Sequence, residues 1–267
     1  MRSMRSVLRV VSLILAVTAL ASFGAVGADE VRLTILFDNY VHHPDAEASW
    51  GFSCLVEGYE QTILFDVGAD AEILAANSQL LGVDPSEIDA VVLSHHHSDH
   101  IDGMPVLLDL QQEITVFIPR LFRNDARRQI TTAWTEVVEA RQPTRICDGV
   151  HSTGSLADTE GTFYEQALVL ETAEGIVVVT GCAHPGVVRI ATRASTLFPD
   201  EPILLLLGGF HTFDSAAVTA LIAGQLQTAG VLRVAPTHCT QGREGFALVY
   251  GEDYNEAGVG AVFTFDR

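Results

Sequence analysis

The sequence predicts an α/β fold of four layers, in which two mixed β-sheets pack face to face and helices cover their outer faces. Strand-like apolar segments open and close each half of the chain, helix-like segments lie between them, and polar clusters follow the ends of apolar strands. Two packed sheets with outer helices would bury the apolar faces of all these elements. A chain of 267 residues with 48% hydrophobic residues is long and apolar enough to build such a core.

Apolar runs between turn residues place the strands of the first half, and a 3.6-residue spacing places its helices. The expected order is a strand at 31–37, a hairpin at 53–57 and 61–65, a helix at 71–80, a strand at 88–93, a helix at 101–110 and a strand at 114–118. The segment 121–149 is the least regular and is rich in arginine, so we expect a lid or a helical insert there.

The second half repeats this rhythm. The expected order is a hairpin at 167–171 and 176–180, a helix at 187–197, a strand at 203–207, a helix at 215–229, a strand at 231–235 and closing strands at 246–250 and 259–265. No repeat or low-complexity linker divides the chain. We therefore expect a single domain over residues 29–267.

The first 28 residues have the pattern of a secretory signal peptide. Arg2, Arg5 and Arg9 precede an apolar run over 10–20, and small residues follow as far as Ala28. This pattern predicts export to the periplasm or the cell exterior. An uncleaved membrane anchor is the alternative, although the run is shorter than the roughly 20 residues that a membrane span needs. No later stretch is apolar enough to cross a membrane, so we expect no stable span after cleavage.

The charge of the chain excludes several functions. Without its first 28 residues the chain has 12 arginines against 34 acidic residues, a net charge of −22. Such a surface repels phosphate backbones, so nucleic acid is not an expected partner and a small-molecule substrate is. The sequence contains no lysine, which excludes Schiff-base chemistry and a Walker-type phosphate loop. The sequence does not predict an oligomeric state.

The cysteines do not form a disulfide scaffold in a chain of this length, although a single bridge stays open. Cys239 adjoins a histidine and Cys182 lies two residues from one, so both are interpreted first as site residues. Cys54 lies in an apolar strand and is expected in the core.

The strongest chemical signal is the run Ser-His-His-His-Ser-Asp-His at 94–100. His95 and His97 are two residues apart, so an extended segment points both to the same side. Asp99 and His100 follow where the chain turns into a helix and can face a second ion. Imidazole and carboxylate groups suit Zn²⁺, Fe or Mn. The run therefore predicts a site for two divalent metal ions, Zn²⁺ first among them.

His-x-His-x-Asp-His after an apolar strand resembles the signature of the metallo-β-lactamase superfamily. That family has the αββα sandwich and a one- or two-metal site at one edge of its sheets. Asp66, in Phe-Asp-Val-Gly, resembles the family's upstream aspartate, which orients a ligand loop without binding the metal. Five further motifs resemble a branch named for dihydropterin–ribosylaminobenzene-phosphate synthases or metal-dependent hydrolases. They lie at 38–39, 165–168, 181–186, 208–211 and 236–240.

The downstream motifs depart from the wider superfamily. Thr-Gly-Cys at 180–182 stands where the family has Thr-Gly-Asp, so Cys182 or His184 must replace the bridging aspartate, and His184 is the safer ligand. Glu165 supplies a carboxylate in the region of the usual third histidine and is a possible ligand of a metal or of the substrate. His238 follows a predicted strand and is expected to be the final ligand. His211 is placed in the pocket, as a ligand or a substrate-binding donor.

These residues predict an exported, metal-dependent hydrolase that acts on an ester, a lactone or a phosphoester. In this hypothesis a metal-bound hydroxide attacks the substrate, and Asp99 positions the water and accepts its proton. One alternative is the synthase of the resembling branch, a transferase that joins a dihydropterin diphosphate to a ribosylaminobenzene phosphate. A second alternative is a metal-binding protein without hydrolytic activity.

Overall fold

The structure is a computed structural model that describes residues 26–27 and 29–267. Almost all of the predicted signal peptide at 1–28 therefore lies outside the described residues. Within the described part, no helix is long and apolar enough to cross a membrane.

Two sheets dominate the described residues, with seven strands in the first and six in the second. The first sheet has the order β15-β1-β2-β3-β4-β5-β6, built from β1 (Glu30–Phe37), β2 (Ser53–Glu57), β3 (Ile63–Phe65), β4 (Ala90–Val92), β5 (Ile114–Ile118), β6 (Thr135–Glu139) and β15 (Val262–Asp266). The second has the order β14-β13-β12-β11-β8-β7, built from β7 (Thr144–Cys147), β8 (Val150–Ser152), β11 (Leu168–Thr172), β12 (Gly175–Thr180), β13 (Ile203–Gly209) and β14 (Val234–Thr237). A small separate pair joins β9 (Leu156–Ala157) to β10 (Tyr164–Glu165).

Helices lie on the outer faces of both sheets. Those beside the first sheet are α1 (Ala71–Leu80), α2 (Ser98–Ile101), α3 (Pro105–Leu108) and α4 (Asn124–Gln129). Those beside the second are α5 (Val187–Leu197), α6 (Ala216–Thr228) and α7 (Arg243–Tyr250). Short 3-10 helices occupy Pro85–Glu87 and Gly251–Asp253.

Alternating side chains divide the apolar residues into three layers, as strand geometry requires. In β12, Val177 and Val179 pack between the two sheets, whereas Ile176 and Val178 pack against the helices outside the second sheet. In β4, Val92 faces the layer between the sheets and Val91 faces the helices outside the first. Three apolar layers between four structural layers confirm the predicted αββα sandwich.

The interpretation of 121–149 as a lid or helical insert was wrong. After the short helix α4, this segment forms β6 and β7, the edge strands of the two sheets, and so carries the chain from one sheet to the other. Edge strands are covered less than central ones, and β6 reads Thr-Glu-Val-Val-Glu with no fully buried residue. Its sequence therefore lacks the apolar run that marked the central strands.

The closing strand predicted at 246–250 was also wrong, because these residues belong to α7. Phe246 and Tyr250 are four residues apart and buried on one side of the helix, whereas Leu248 is 79% exposed. The helix 101–110 is divided into α2 and α3 around Gly103, whose added Cβ would lie 1.8 Å from the carbonyl oxygen of Val67. The predicted strand at 231–235 begins later, at Val234, and the last strand begins at Val262.

The helical assignment of α7 predicts opposite outcomes for two of its apolar residues. Phe246→Leu should lower the free energy of unfolding by about 1–2 kcal/mol, because it leaves a gap beside Phe210 under the helix. Leu248→Glu should change it by less than about 0.5 kcal/mol, because that side chain faces solvent. Urea unfolding of both variants checks this prediction. In a strand, residues 246 and 248 would lie on the same face, and both substitutions would then be destabilising.

Candidate metal centre

The candidate ligands come from loops at one edge of the sandwich. In the first sheet β3, β4 and β5 run parallel, and in the second β12, β13 and β14 run parallel. Parallel strands place their carboxyl ends at the same edge, where ligand sites are usually displayed. Asp66 follows β3 and the histidine run follows β4, while Cys182, His211 and His238 follow β12, β13 and β14. Residues distant in sequence thus meet in one place.

Three overlapping groups of side chains there have ligand atoms within 4.8 Å of one another. Cys182 belongs to all three of them. The groups are Asp99, His100, Cys182 and His238; His95, Cys182 and His184; and Cys182, His211 and Cys239.

The group that contains His95 is a cluster of imidazoles, and His95 itself is fully buried. Its Nε2 lies 3.0 Å from Nδ1 of His97, and its ring centroid lies 4.7 Å from that of His184. Burial and the neighbouring imidazoles of His100 and His184 lower the pKa of His95 well below its usual range. Burial together with His184 lowers the pKa of His97 to about 4. The rings of His95 and His97 are therefore neutral at pH 7, and a neutral imidazole is the form that binds a metal.

In the group that contains Asp99, the other side chains surround its carboxylate. Its Oδ2 accepts a hydrogen bond from Trp50 Nε1 at 2.8 Å and lies 3.4 Å from His238 Nε2 and 3.5 Å from His100 Nε2. Burial opposes ionisation, but the neighbouring imidazoles of His238 and His100 hold the pKa of Asp99 below its usual range. Asp99 is thus a carboxylate at neutral pH.

Asp66 fixes the orientation of the histidine run from behind. It is fully buried, and its oxygens accept hydrogen bonds at 2.7 Å from the Ser94 backbone N–H, the Ser94 hydroxyl and His100 Nδ1. Burial alone would lower the pKa of His100, but the charge and hydrogen bond of Asp66 outweigh it and raise that pKa to about 9. Because Nδ1 of His100 is bound to Asp66, its Nε2 points the other way and lies 3.2 Å from Cys182 Sγ.

A glycine makes this approach of the two sheets feasible. A Cβ added to Gly181 would lie 2.1 Å from Ser94 Oγ and 2.9 Å from Asp66 Oδ2. A side chain at this position would therefore separate the loop that bears Cys182 from the histidine run.

Glu165 holds the loop over 182–184. Its buried carboxylate accepts hydrogen bonds from the backbone N–H groups of Cys182, Ala183 and His184 at 2.8–3.0 Å, and from His184 Nδ1 at 2.8 Å. Burial raises the pKa of this carboxyl, but the bonds from His184 and the backbone outweigh it and lower the pKa. With Nδ1 committed to Glu165, Nε2 of His184 is left for other contacts.

The loops that bear the ligands are unusual in backbone conformation. Ala183, His211 and His238 have φ angles of +63°, +47° and +49°. Residues other than glycine avoid this left-handed region, and such strain concentrates at functional sites. One strained residue follows each of the parallel strands β12, β13 and β14, beside or at a candidate ligand.

The residues present fit a bound metal ion. His238 Nδ1 lies 3.0 Å from Asn39 Oδ1, but its buried Nε2 has no hydrogen-bond partner among the described residues. A buried nitrogen without a partner calls for an explanation, and a bound ion supplies one. The imidazoles, the carboxylate and the thiol around it form a donor set that Zn²⁺ prefers. Nε2 of His95 and Nδ1 of His97 are also close enough to share one tetrahedral ion, whose nitrogen ligands stand about 3.4 Å apart.

Sequence comparison places these features in a known family. Residues 51–124, which contain the histidine run, match the model of the metallo-beta-lactamase superfamily. The solved structure of Tm1679, described as a metal-dependent hydrolase of the beta-lactamase superfamily, superposes with a TM-score of 0.75 at 24% identity over 89% of this chain and all of that one. The chain therefore has the fold of Tm1679, and its segment 51–124 is similar to the metallo-β-lactamase superfamily.

Two further proteins resemble the chain along most of its length. The 7,8-dihydropterin-6-methyl-4-(beta-D-ribofuranosyl)-aminobenzene-5'-phosphate synthase of Methanocaldococcus jannaschii is 24% identical over 89% of this chain and 97% of its own. The metallo-beta-lactamase fold protein YhfI from Bacillus subtilis superposes with a TM-score of 0.65 at 20% identity over 88% of this chain and 99% of that one.

Cys182, which stands where the superfamily pattern has an aspartate, lies beside a second cysteine, Cys239. Cys182, in place of the family's aspartate, is buried, and its carbonyl oxygen lies 3.7 Å from Cys239 Sγ. A Cβ on Gly209 would lie 2.7 Å from that sulfur. All four cysteines of the chain are described, buried and free, so the single bridge left open in the sequence does not form here. Cys54 packs between the sheets, as expected.

Two aromatic residues at the centre were not among the predicted site residues. Phe163 lies over the imidazoles of His95, His97 and His184, with ring centroids 4.9–5.9 Å apart. Trp50 contacts both Asp99 and His238. Both lie in irregular segments, where no periodicity marks which way a side chain points.

Two cavities adjoin candidate metal ligands. One of about 430 Å³ is lined by His97, Asp99, Asp102 and Arg123, with His96 also in its wall. The other, of about 700 Å³, lies between α5 and α6 and reaches His184 and His211. Asp102 in the smaller cavity accepts a hydrogen bond from Gln129 Nε2 at 2.7 Å.

Asp38 gives the metal-free protein a pH-dependent stability. Burial raises the pKa of its carboxyl to about 6, although the backbone N–H of Tyr40 donates to it. The folded state therefore binds more protons than the unfolded state between pH 4 and 6, so stability falls as pH rises through this window. We expect a loss on the order of 2 kcal/mol, and Asp38→Asn should remove this slope from urea unfolding curves of the chelated protein. An unchanged slope would contradict the assignment.

Proposed function

We propose that this protein is an enzyme that binds two divalent metal ions and acts on a small-molecule substrate. The observation that carries the proposal is the convergence of imidazoles, an ionised carboxylate and a thiol on one sheet edge, with His238 Nε2 left without a hydrogen-bond partner among the described residues. The likeness to Tm1679, which is described as a metal-dependent hydrolase, supports it.

The first ion would be held by His95, His97 and His184. The second would be held by Asp99, His100 and His238. Cys182 would lie between the two as the replacement for the family's aspartate. Zn²⁺ suits this mixture of nitrogen, oxygen and sulfur, and Fe or Mn are alternatives. When bound, such ions polarise a carbonyl or phosphoryl oxygen of the substrate and lower the pKa of water.

The protein residues supply positioning and proton transfer. Asp99 is ionised and held by Trp50, so it can orient a nucleophile and accept its proton. His211 is exposed and its ring lies 4.3 Å from that of His184, so it can donate to a substrate or to a leaving group. Glu165 and Asp66 fix His184 and His100 by hydrogen bonds to their Nδ1 atoms.

A transfer reaction of the synthase type is the first candidate activity. Its support is the likeness to the M. jannaschii synthase, which extends over nearly the whole of both chains. Four of the branch motifs named from the sequence, at 165–168, 181–186, 208–211 and 236–240, contain or adjoin candidate ligands.

Hydrolysis of an uncharged ester or lactone is the second candidate. The charges around the site favour it, because a substrate with several phosphates would meet few free cations. Asp99, Asp102 and Asp125 line the smaller cavity, and Arg123 there is already paired with Asp125. The chain has no lysine to add positive charge.

The decisive experiment measures both activities on the same purified protein. Elemental analysis would first determine the bound metals, and the protein would then be assayed with and without chelation. We expect metal-dependent turnover of either the synthase substrates or a member of an ester, lactone and phosphoester panel. A protein that holds no transition metal after reconstitution, or that is inert to both sets, would refute the proposal.

Export to the periplasm or the cell exterior remains part of the proposal, on the evidence of the N-terminal sequence pattern alone. A fusion of residues 1–28 to a reporter that is active only outside the cytoplasm tests it. An inactive reporter would contradict export.

A further inference from the structure

The larger cavity lies beside the proposed metal centre and has a different character from it. It has a volume of about 700 Å³ and lies between the first turns of α5 and the exposed side of α6. Cavities of 300–1,000 Å³ that are lined mainly by apolar side chains are the usual sites of small-molecule binding.

Apolar side chains form the floor and walls of this cavity. Val187 and Val188 come from the start of α5, Phe210 from the end of β13, and Ile222 from α6. Phe210 and Val187 are almost fully buried, so the floor is rigid, whereas Val188 and Ile222 are half-buried and face the opening. Transfer of an apolar group from water to such a surface is favourable.

The charged residues at the rim do not favour an ion of either sign. Arg189 and Asp214 carry opposite charges, and the Arg189 guanidinium already donates to the carbonyl oxygen of Ala157 at 2.9 Å. Apart from the imidazoles of His184 and His211, the remaining polar side chains in the lining are hydroxyl and amide groups, such as Thr192. A ligand group that fits this cavity is therefore uncharged.

The cavity is continuous with the proposed metal centre. His184 and His211 belong both to its lining and to the groups of candidate ligands. Phe213, 54% exposed, lies against His211 with ring centroids 5.0 Å apart and extends the apolar surface toward the opening. A molecule bound in the cavity would thus place its next atoms beside these two imidazoles.

We propose that this cavity binds the uncharged apolar part, aromatic or alkyl, of the substrate. That the occupant is the substrate rests on the proposed function, whereas the apolar binding site itself does not. The polar group that reacts would then lie at His184 and His211, and the apolar part would determine which substrates are accepted.

Binding of an uncharged aromatic probe tests the site without any turnover. N-phenyl-1-naphthylamine, which becomes fluorescent in apolar surroundings, would be titrated into the purified protein, both metal-loaded and chelated. Ile222→Trp and Thr192→Trp should each raise its Kd at least about tenfold by filling the cavity from two sides. Leu221→Trp is the matched control, because Leu221 adjoins Ile222 on α6 but is 70% exposed, and its Kd should stay within about twofold.

Thr192 is exposed on α5, so its replacement does not endanger folding, and melting curves would verify this for every variant. Absence of saturable probe binding, or equal Kd values in the filled variants and the control, would overturn the proposal. In a second measurement, kcat/KM for p-nitrophenyl acetate, butyrate and octanoate should rise with chain length, and Thr192→Trp should flatten the rise. A protein inert to all substrates refutes the proposed function, and the probe titration still decides on the cavity.

Discussion

Cys182→Ala should lower activity by at least about 100-fold and reduce the amount of metal that survives dialysis. The expectation follows from geometry, because Cys182 Sγ belongs to all three groups of candidate ligand atoms and lies 3.2 Å from His100 Nε2. Residues that only orient metal ligands cost 10–100-fold when they are removed, so a ligand shared between two ions should cost more.

Cys182→Asp should retain most of the metal and a measurable rate, because a carboxylate is what the superfamily has at this position. Cys147→Ala is the control, since Cys147 lies in the edge strand β7 and belongs to none of the ligand groups. Metal content by elemental analysis and initial rates check the three variants together. If Cys182→Ala kept its full metal content, the thiol would have no place among the ligands.

Glu165→Ala should be the most destabilising change at the site, at about 3–5 kcal/mol. Three backbone N–H groups and the ring N–H of His184 all donate to this one buried carboxylate. The substitution leaves them unpaired inside the protein, and each unsatisfied buried donor is costly. For a domain of this size the melting temperature should fall by about 10 °C.

A second glutamate offers a matched control for this prediction. Glu171 is exposed and pairs with His151, so Glu171→Ala should change stability by less than about 0.5 kcal/mol. Thermal unfolding in the presence of a chelator separates the loop's own stability from metal binding. Similar melting temperatures for the two variants would show that the loop over 182–184 is held by something other than Glu165.

Local patterns sufficed to predict most of the central strands and the family. Alternating or continuous apolar runs mark buried strands well, and the short spacing of the histidine run carries its own geometry. These sequence patterns failed for a strand that is only partly buried and for a segment whose apolar spacing fits both a strand and a helix. The edge strand β6 has no buried residue to mark it, and five apolar residues at 246–250 suit a strand as well as one face of a helix.

The site was predictable in composition more than in arrangement. His184 could be named from the altered Thr-Gly-Cys motif and His238 from the strand before it, but a sequence pattern does not show the direction of a hydrogen bond. Glu165 therefore could be interpreted as a metal or substrate ligand, whereas the structure commits its oxygens to backbone N–H groups and His184. Trp50 reaches Asp99 across 49 residues, a contact that no local spacing predicts.

The meeting of parallel strands at one edge has a consequence for how the protein folds. Asn39 and His238, which contact each other at the centre, are 199 residues apart in sequence. Contacts of such long range form slowly, because the loop-closure entropy is lost before they are made. The ligands come from loops of both sheets, so the complete site requires both sheets to be in place.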